Sequence, residues 1–171
     1  MYQKGKKCLQ GKQTRIDGSV YEGDFKNDLF HGQGKLVHAN GQSSYEGEWV
    51  NGQMHGQGLY QWSDGRRYQG EYKCDKKDGF GVYMWADGRA HYGMWKDGNQ
   101  NGEGTKVLAN MDMTKSFWLN GKKQHELQLS DAERQEIAVY IQRMHSERAI
   151  SMQDKRRSSV QRSSRNYDKQ R

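Results

Sequence analysis

Long apolar runs are missing: none approaches the roughly 18 residues of a membrane-spanning helix. The chain starts Met1-Tyr2-Gln3-Lys4-Gly5-Lys6-Lys7, polar and basic, which does not fit a secretory leader. A soluble chain kept in the cytosol is the expectation. Cysteine is scarce as well. Cys8 and Cys74 form no disulfide framework, and neither sits in a C-x-x-C pair or near a histidine at zinc-ligand spacing, so both read as free thiols in a reducing compartment. Proline is absent, and apolar residues make up only 32% of the 171, even with ten Tyr and five Trp included. That leaves too little aliphatic material for a thick core in the one domain such a length predicts. Glycine runs the other way, at 21 residues, well above the usual share of about 7%.

The net charge of +7 invites a nucleic-acid or membrane reading until the charge is located. Residues 1–20 carry +4, residues 21–125 balance to zero, residues 126–152 carry −2 and residues 153–171 carry +5. The neutral middle has no basic residues in excess with which to grip a phosphate backbone, so no nucleic-acid partner is expected.

An internal repeat dominates that middle. Tyr21-Glu22-Gly23-Asp24-Phe25 recurs as Tyr45-Glu46-Gly47-Glu48-Trp49, as Tyr68-Gln69-Gly70-Glu71-Tyr72 and as His91-Tyr92-Gly93-Met94-Trp95. Each copy is followed by a second signature: His31-Gly32-Gln33-Gly34, His55-Gly56-Gln57-Gly58, Asp78-Gly79-Phe80-Gly81 and Asn101-Gly102-Glu103-Gly104. A turn pair follows in three cases, at Asn40-Gly41, Asp64-Gly65 and Asp87-Gly88. The ends are degenerate. Gly11 and Asp17-Gly18 fit the second half of an earlier unit, and Ser116, Trp118 and Asn120-Gly121 fit the first half of a fifth. Asn110-Met111 stands where a turn glycine belongs, so the array is expected to fray from there.

Within Tyr45-Glu46-Gly47-Glu48-Trp49 the rings and the glycine alternate with the acids, hence fall on opposite faces of a strand. The glycine leaves room for large rings from neighbouring strands. Gly58-Leu59-Tyr60-Gln61-Trp62 and Gly81-Val82-Tyr83-Met84-Trp85 repeat the arrangement. Asn51-Gly52, Asp64-Gly65, Asp87-Gly88, Asp97-Gly98 and Asn120-Gly121 are strong hairpin turns, so each repeat reads as a β-hairpin. Stacked hairpins advance roughly 10 Å per repeat and on the order of 45 Å in all, with rings replacing the aliphatic core.

The pattern Y-E-G-x-W/F, then H-G-x-G, then D-G on a period of about 23 residues resembles the MORN (membrane occupation and recognition nexus) repeat family over residues 11–121. The resemblance implies rods of stacked hairpins. It also implies non-catalytic scaffolds and dimerisation modules of cilia, basal bodies, cytoskeletal collars and membrane junctions, so partners in a large assembly and self-association through the repeats are expected. The fold expected is mainly β: an elongated single-layer antiparallel sheet of stacked hairpins with a C-terminal helix and basic tail. Its parts are a basic segment with a partial repeat (1–20), the array (21–121), a capping or partner-binding helix (122–152) and the tail (153–171).

No enzymatic chemistry is expected. The G-x-G pairs lack the helix and the Gly-Lys-Ser/Thr of a phosphate loop. His31 and His55 are one repeat, about 10 Å, apart, too far to share a metal. Glu22, Glu46, Glu48 and Glu71 recur with the repeat, which reads as a solvated face, whereas an acid/base pair needs two unlike environments in one cleft. No catalytic residue, cofactor or metal is assigned.

A sheet with one aromatic face must cover it. Either the rings pack within the array, or Trp49, Tyr60, Trp62, Tyr83, Trp85 and Trp95 line a groove that grips a partner helix or peptide. Further on, Ser130-Asp131-Ala132-Glu133 is a capping box, and Ile137, Tyr140, Ile141 and Met144 form one apolar stripe on a helix over about 131–150. That helix is either a terminal cap or a second partner contact. In the tail, Arg156, Arg157, Arg162 and Arg165 suit an acidic surface such as a tubulin lattice or an anionic membrane. Alone the tail should be disordered. Ser159 fits a basophilic-kinase acceptor. The functional expectation is a scaffold docked in a cytoskeletal assembly, by resemblance a ciliary axoneme, with a peripheral membrane adaptor as the alternative.

Overall fold

The computed structural model describes residues 2–3, 6–7, 9–41 and 43–147. They fall into two compact units divided after Leu129. In the first, β1 (Tyr2–Gln3) pairs with β2 (Lys6–Lys7) as a small separate ribbon. The other strands form one open antiparallel sheet of eleven, each beside its neighbours in the chain. They are β3 (Leu9–Thr14), β4 (Val20–Lys26), β5 (Leu29–Val37), β6 (Ser43–Val50), β7 (Gln53–Trp62) and β8 (Arg67–Lys73). Then come β9 (Lys76–Met84), β10 (Ala90–Lys96), β11 (Asn99–Val107), β12 (Met113–Leu119) and β13 (Lys122–Glu126). Ten inter-strand spacings of about 4.8 Å make the sheet about 48 Å wide. Among the described residues no helix is long and apolar enough to cross a membrane.

Two kinds of turn alternate along the sheet's two edges. Asn27-Asp28, Asn51-Gly52, Cys74-Asp75, Asp97-Gly98 and Asn120-Gly121 have both φ angles positive, the two-residue turn whose twist matches that of paired strands. The N–H of the second residue of four of these turns, Gly52, Asp75, Gly98 and Gly121, donates to the carbonyl of Phe30, Met54, Lys77 and Gln100 respectively, one repeat earlier, at 2.8 to 3.1 Å. Along the other edge Asp64-Gly65 and Asp87-Gly88 belong to three-residue loops, with glycine φ of 90° and 91° and a bond from Trp62 N–H to Arg66 O or from Trp85 N–H to Arg89 O.

Fraying after Gly104 is not what the structure shows. Met111 takes the left-handed place of the missing glycine with φ 70°, and Leu108 N–H closes the loop on Asp112 O at 2.8 Å. The ladders of β12 with β11 and with β13 carry the sheet on regardless. One unfavourable residue is outweighed by two full strand pairings.

Register explains the glycines. Gly11, Gly23, Gly34, Gly47, Gly58, Gly70, Gly81, Gly93 and Gly104 stand opposite one another in a single row across nine strands, and Ser116 ends it on the tenth. A Cβ on Gly34, Gly58 or Gly81 would fall inside the ring of Tyr21, Tyr45 or Tyr68. Those tyrosines, fully buried, cross the row and donate their hydroxyls to the carbonyls of Asp24, Glu48 and Glu71 at 2.9, 3.0 and 3.1 Å. Burial pushes the Tyr21 phenol up to about 12 and raises that of Tyr45 too, so both remain donors.

The described residues of the second unit form the helix α1, over 131–147. Ser130 N–H donates to the Glu133 carboxylate at 2.9 Å while Glu133 N–H donates to Ser130 Oγ at 3.3 Å, the reciprocal cap read from the sequence. Ile137, Ile141 and Met144 are buried and Tyr140 is half-buried.

Candidate functional site

Where rings must be packed and where they can be offered is decided by position along the strand. Trp49, Tyr83 and Trp95 are 4%, 8% and 6% exposed and belong to the core cluster with Tyr21, Phe25, Phe30, Tyr45, Tyr68 and Tyr72. Both indoles among them are satisfied, Trp49 Nε1 donating to Gly34 O at 3.0 Å and Trp95 Nε1 to Gly81 O at 3.1 Å. Tyr21 meets Trp49 edge-on at 5.6 Å, and Tyr68 meets Trp95 at 5.5 Å. Intra-array packing therefore accounts for the central rings.

Tyr60, Trp62 and Trp85 differ. They stand at the strand ends next to the three-residue loops and are only partly buried against the core. With Tyr83 they form a continuous path of rings, at centroid separations of 4.4 Å from Tyr60 to Trp62, 5.6 Å from Trp62 to Tyr83 and 4.8 Å from Tyr83 to Trp85. Arg66 lies over the Trp62 ring at 5.4 Å and Arg89 over Trp85 at 5.7 Å. Each guanidinium also bonds the aspartate of its own loop, Arg66 Nε to Asp64 and Arg89 Nε to Asp87, both at 2.7 Å. The aspartates in turn accept the backbone N–H of Arg66 and Arg89, which fixes the loops and holds both carboxyls below their ordinary values. Neither arginine stood out in the sequence reading. The available signal was Trp62-Ser63-Asp64-Gly65-Arg66 recurring 23 residues later as Trp85-Ala86-Asp87-Gly88-Arg89.

The acids do not all face water. Glu22 and Glu46 do, paired with Lys12 at 3.4 Å and Lys35 at 2.8 Å. Asp24, Glu48 and Glu71 instead accept the N–H of Gln33, Gln57 and Phe80 at 3.0, 2.8 and 2.9 Å. These donors sit in a bulge that the second signature creates, where two extra residues interrupt the ladder and Gly32, Gly56 and Gly79 take positive φ. The fourth-position acid is therefore a bulge cap. Met94 replaces it in the fourth repeat, beside Gly102.

Two ionisable groups lie inside the aromatic layer. Lys77 occupies the place of Phe30 two repeats on, its Nζ 4.2 Å from the Trp95 ring centre and 4.8 Å from that of Tyr83, and burial pushes its ammonium down to about 8. His91 replaces the repeat tyrosine, fully buried over Gly104 between Trp95 at 5.3 Å and Trp118 at 5.5 Å. Neither of its ring nitrogens has a hydrogen-bond partner, and burial, helped by the Lys77 charge, holds it down to about 4. His31 and His55 stay apart, and no cluster of three or more His, Cys, Asp or Glu able to hold a metal occurs among the described residues. Cys74 is a free, exposed thiol. Arg156, Arg157, Arg162, Arg165 and Ser159, like Cys8, lie outside the described residues.

No curated protein matches the chain. Residues 21–43, 45–66, 68–88 and 91–111 each match the MORN repeat, four consecutive units whose bounds follow the hairpins described above. Together they make up about half of the sequence, and the chain belongs to the MORN repeat family.

Proposed function

We propose that the protein is a non-catalytic scaffold that docks in a large cytoskeletal assembly, with a ciliary axoneme as the finer reading. One observation carries the docking role. The array packs its central rings completely yet leaves Tyr60, Trp62 and Trp85 half-buried at one edge, next to the partly exposed Arg66 and Arg89. Trp, Tyr and Arg are the residues in which interface energy concentrates. The repeat family, generally structural or binding, supports the reading, and the axonemal setting rests on that family's habits alone. In this reading the sheet is the spacer and the ring strip its docking edge. The basic tail, with Arg156, Arg157, Arg162 and Arg165, is the electrostatic anchor.

Fractionation of native cells tests it. Retention in the detergent-resistant pellet, with release by high salt or chaotrope, is expected, and Trp62→Ala/Trp85→Ala should weaken retention while leaving the circular dichroism of the sheet intact. Release by detergent alone would overturn the cytoskeletal reading in favour of a peripheral membrane adaptor held through its basic ends.

A further inference from the structure

Two neighbouring loops carry a set of side chains that the other repeats lack. The indole–guanidinium–carboxylate loops occur only in the second and third repeats. The flanking units carry His38 and Leu108 at the indole position, and Asp112 stands where the fourth repeat would carry an arginine. Arg66 and Arg89 are thus two matching cations, 42% and 45% exposed, each over its own indole and offset by one repeat, and Arg66 also donates to the Tyr83 hydroxyl at 3.4 Å. One repeat is two strand spacings, about 9.6 Å. Seven residues of α-helix advance about 10.5 Å.

We propose that this edge is a docking strip for an acidic amphipathic helix, lying across the strands, with carboxylates one heptad apart on Arg66 and Arg89 and apolar side chains between them on the half-buried Trp62 and Trp85. The inference rests on the reading of the ring strip as a protein-binding surface and names the partner's chemistry. Charge and geometry favour a protein over a nucleic acid. Asp64 and Asp87, 50% and 51% exposed beside the two arginines, repel a continuous phosphate chain. A helix can place its acids only where the arginines are. Asp112 repels a further acid at the next position and so bounds the strip to two repeats.

The test uses the full chain, isotopically labelled, and follows its five indole N–H resonances by NMR during titration with a synthetic helical peptide. That peptide carries Glu at positions i and i+7 and Leu at i+3 and i+4. Saturable shifts confined to Trp62 and Trp85 are expected. Arg66→Glu/Arg89→Glu should weaken binding by about tenfold or more, and a peptide with Lys for Glu should restore it on that variant. Absence of shifts, equal binding of a peptide with the Glu residues moved to its opposite face, or tighter binding of a single-stranded oligonucleotide at the same indoles would each overturn the proposal. Cell fractionation separates the two levels. If Trp62→Ala/Trp85→Ala releases the protein and Arg66→Glu/Arg89→Glu does not, the docking role stands and the acidic helix falls. If neither variant releases it, the docking role itself fails.

Discussion

Replacing His91 with tyrosine should make the protein more stable, and the gain should grow as the pH is lowered. His91 is fully buried with both ring nitrogens unpartnered, in a slot that Tyr21, Tyr45 and Tyr68 fill in the other repeats while donating to a main-chain carbonyl. At neutral pH the tyrosine should gain about 1 kcal/mol, from one hydrogen bond made and two unsatisfied nitrogens removed. The larger effect is linkage. The histidine titrates near 6.5 when unfolded and near 4 when folded, so between those values the unfolded chain binds the extra proton. Stability therefore falls as pH falls from 6.5 to 4 and levels off below, by about 3 kcal/mol at 1.36 kcal/mol per pH unit. Tyrosine has no such titration in that window. Urea unfolding of both proteins at steps from pH 7.5 to 4.5, followed by far-ultraviolet circular dichroism, isolates His91 because the other carboxylates and histidines cancel in the difference. A difference that stays constant over the whole range would refute the buried neutral ring.

Other substitutions test the sheet's construction. Gly58→Ala puts a methyl 2.5 Å from ring atoms of Tyr45 and must expel that buried side chain, so a loss of about 3 kcal/mol or more is expected in urea unfolding. Met94→Glu should restore the bulge cap on Glu103 N–H and gain about 1 kcal/mol; an unchanged urea midpoint would mean that the caps in the other repeats contribute little. Met111→Gly removes a left-handed non-glycine residue at φ 70° and should gain about 1 kcal/mol, read as a rise in thermal midpoint.

Much of the sheet could be read from the residues alone, because hairpins are local objects. Alternation puts rings and glycine on one face, Asn-Gly and Asp-Gly tolerate positive φ, and the 23-residue period says that each hairpin repeats the last. The capping box and the apolar stripe that define α1 are local for the same reason. Where the reading fell short, the deciding contact lay on another strand. Cys74-Asp75 makes the same turn as Asn51-Gly52 without a glycine, and Met111 makes the loop of Gly65 and Gly88, because strand pairing on either side imposes the angle. Glu46 and Glu48 look equivalent in sequence. A two-residue shift of register turns Glu48 onto the bulge and leaves Glu46 in solvent with Lys35.

The same division holds for the candidate site. Sequence by itself determined which side chains share the aromatic face, since that follows from a period of two along each strand. Only the tertiary structure decided that Trp49 and Trp95 are core while Trp62 and Trp85 form a rim bearing arginines. An indole beside the central glycine row is packed by rings from its own strand and from the two strands before it, whereas one at the strand end has a loop beyond it and water outside. That distinction is set by the position of a residue among its cross-strand neighbours, which no single strand encodes.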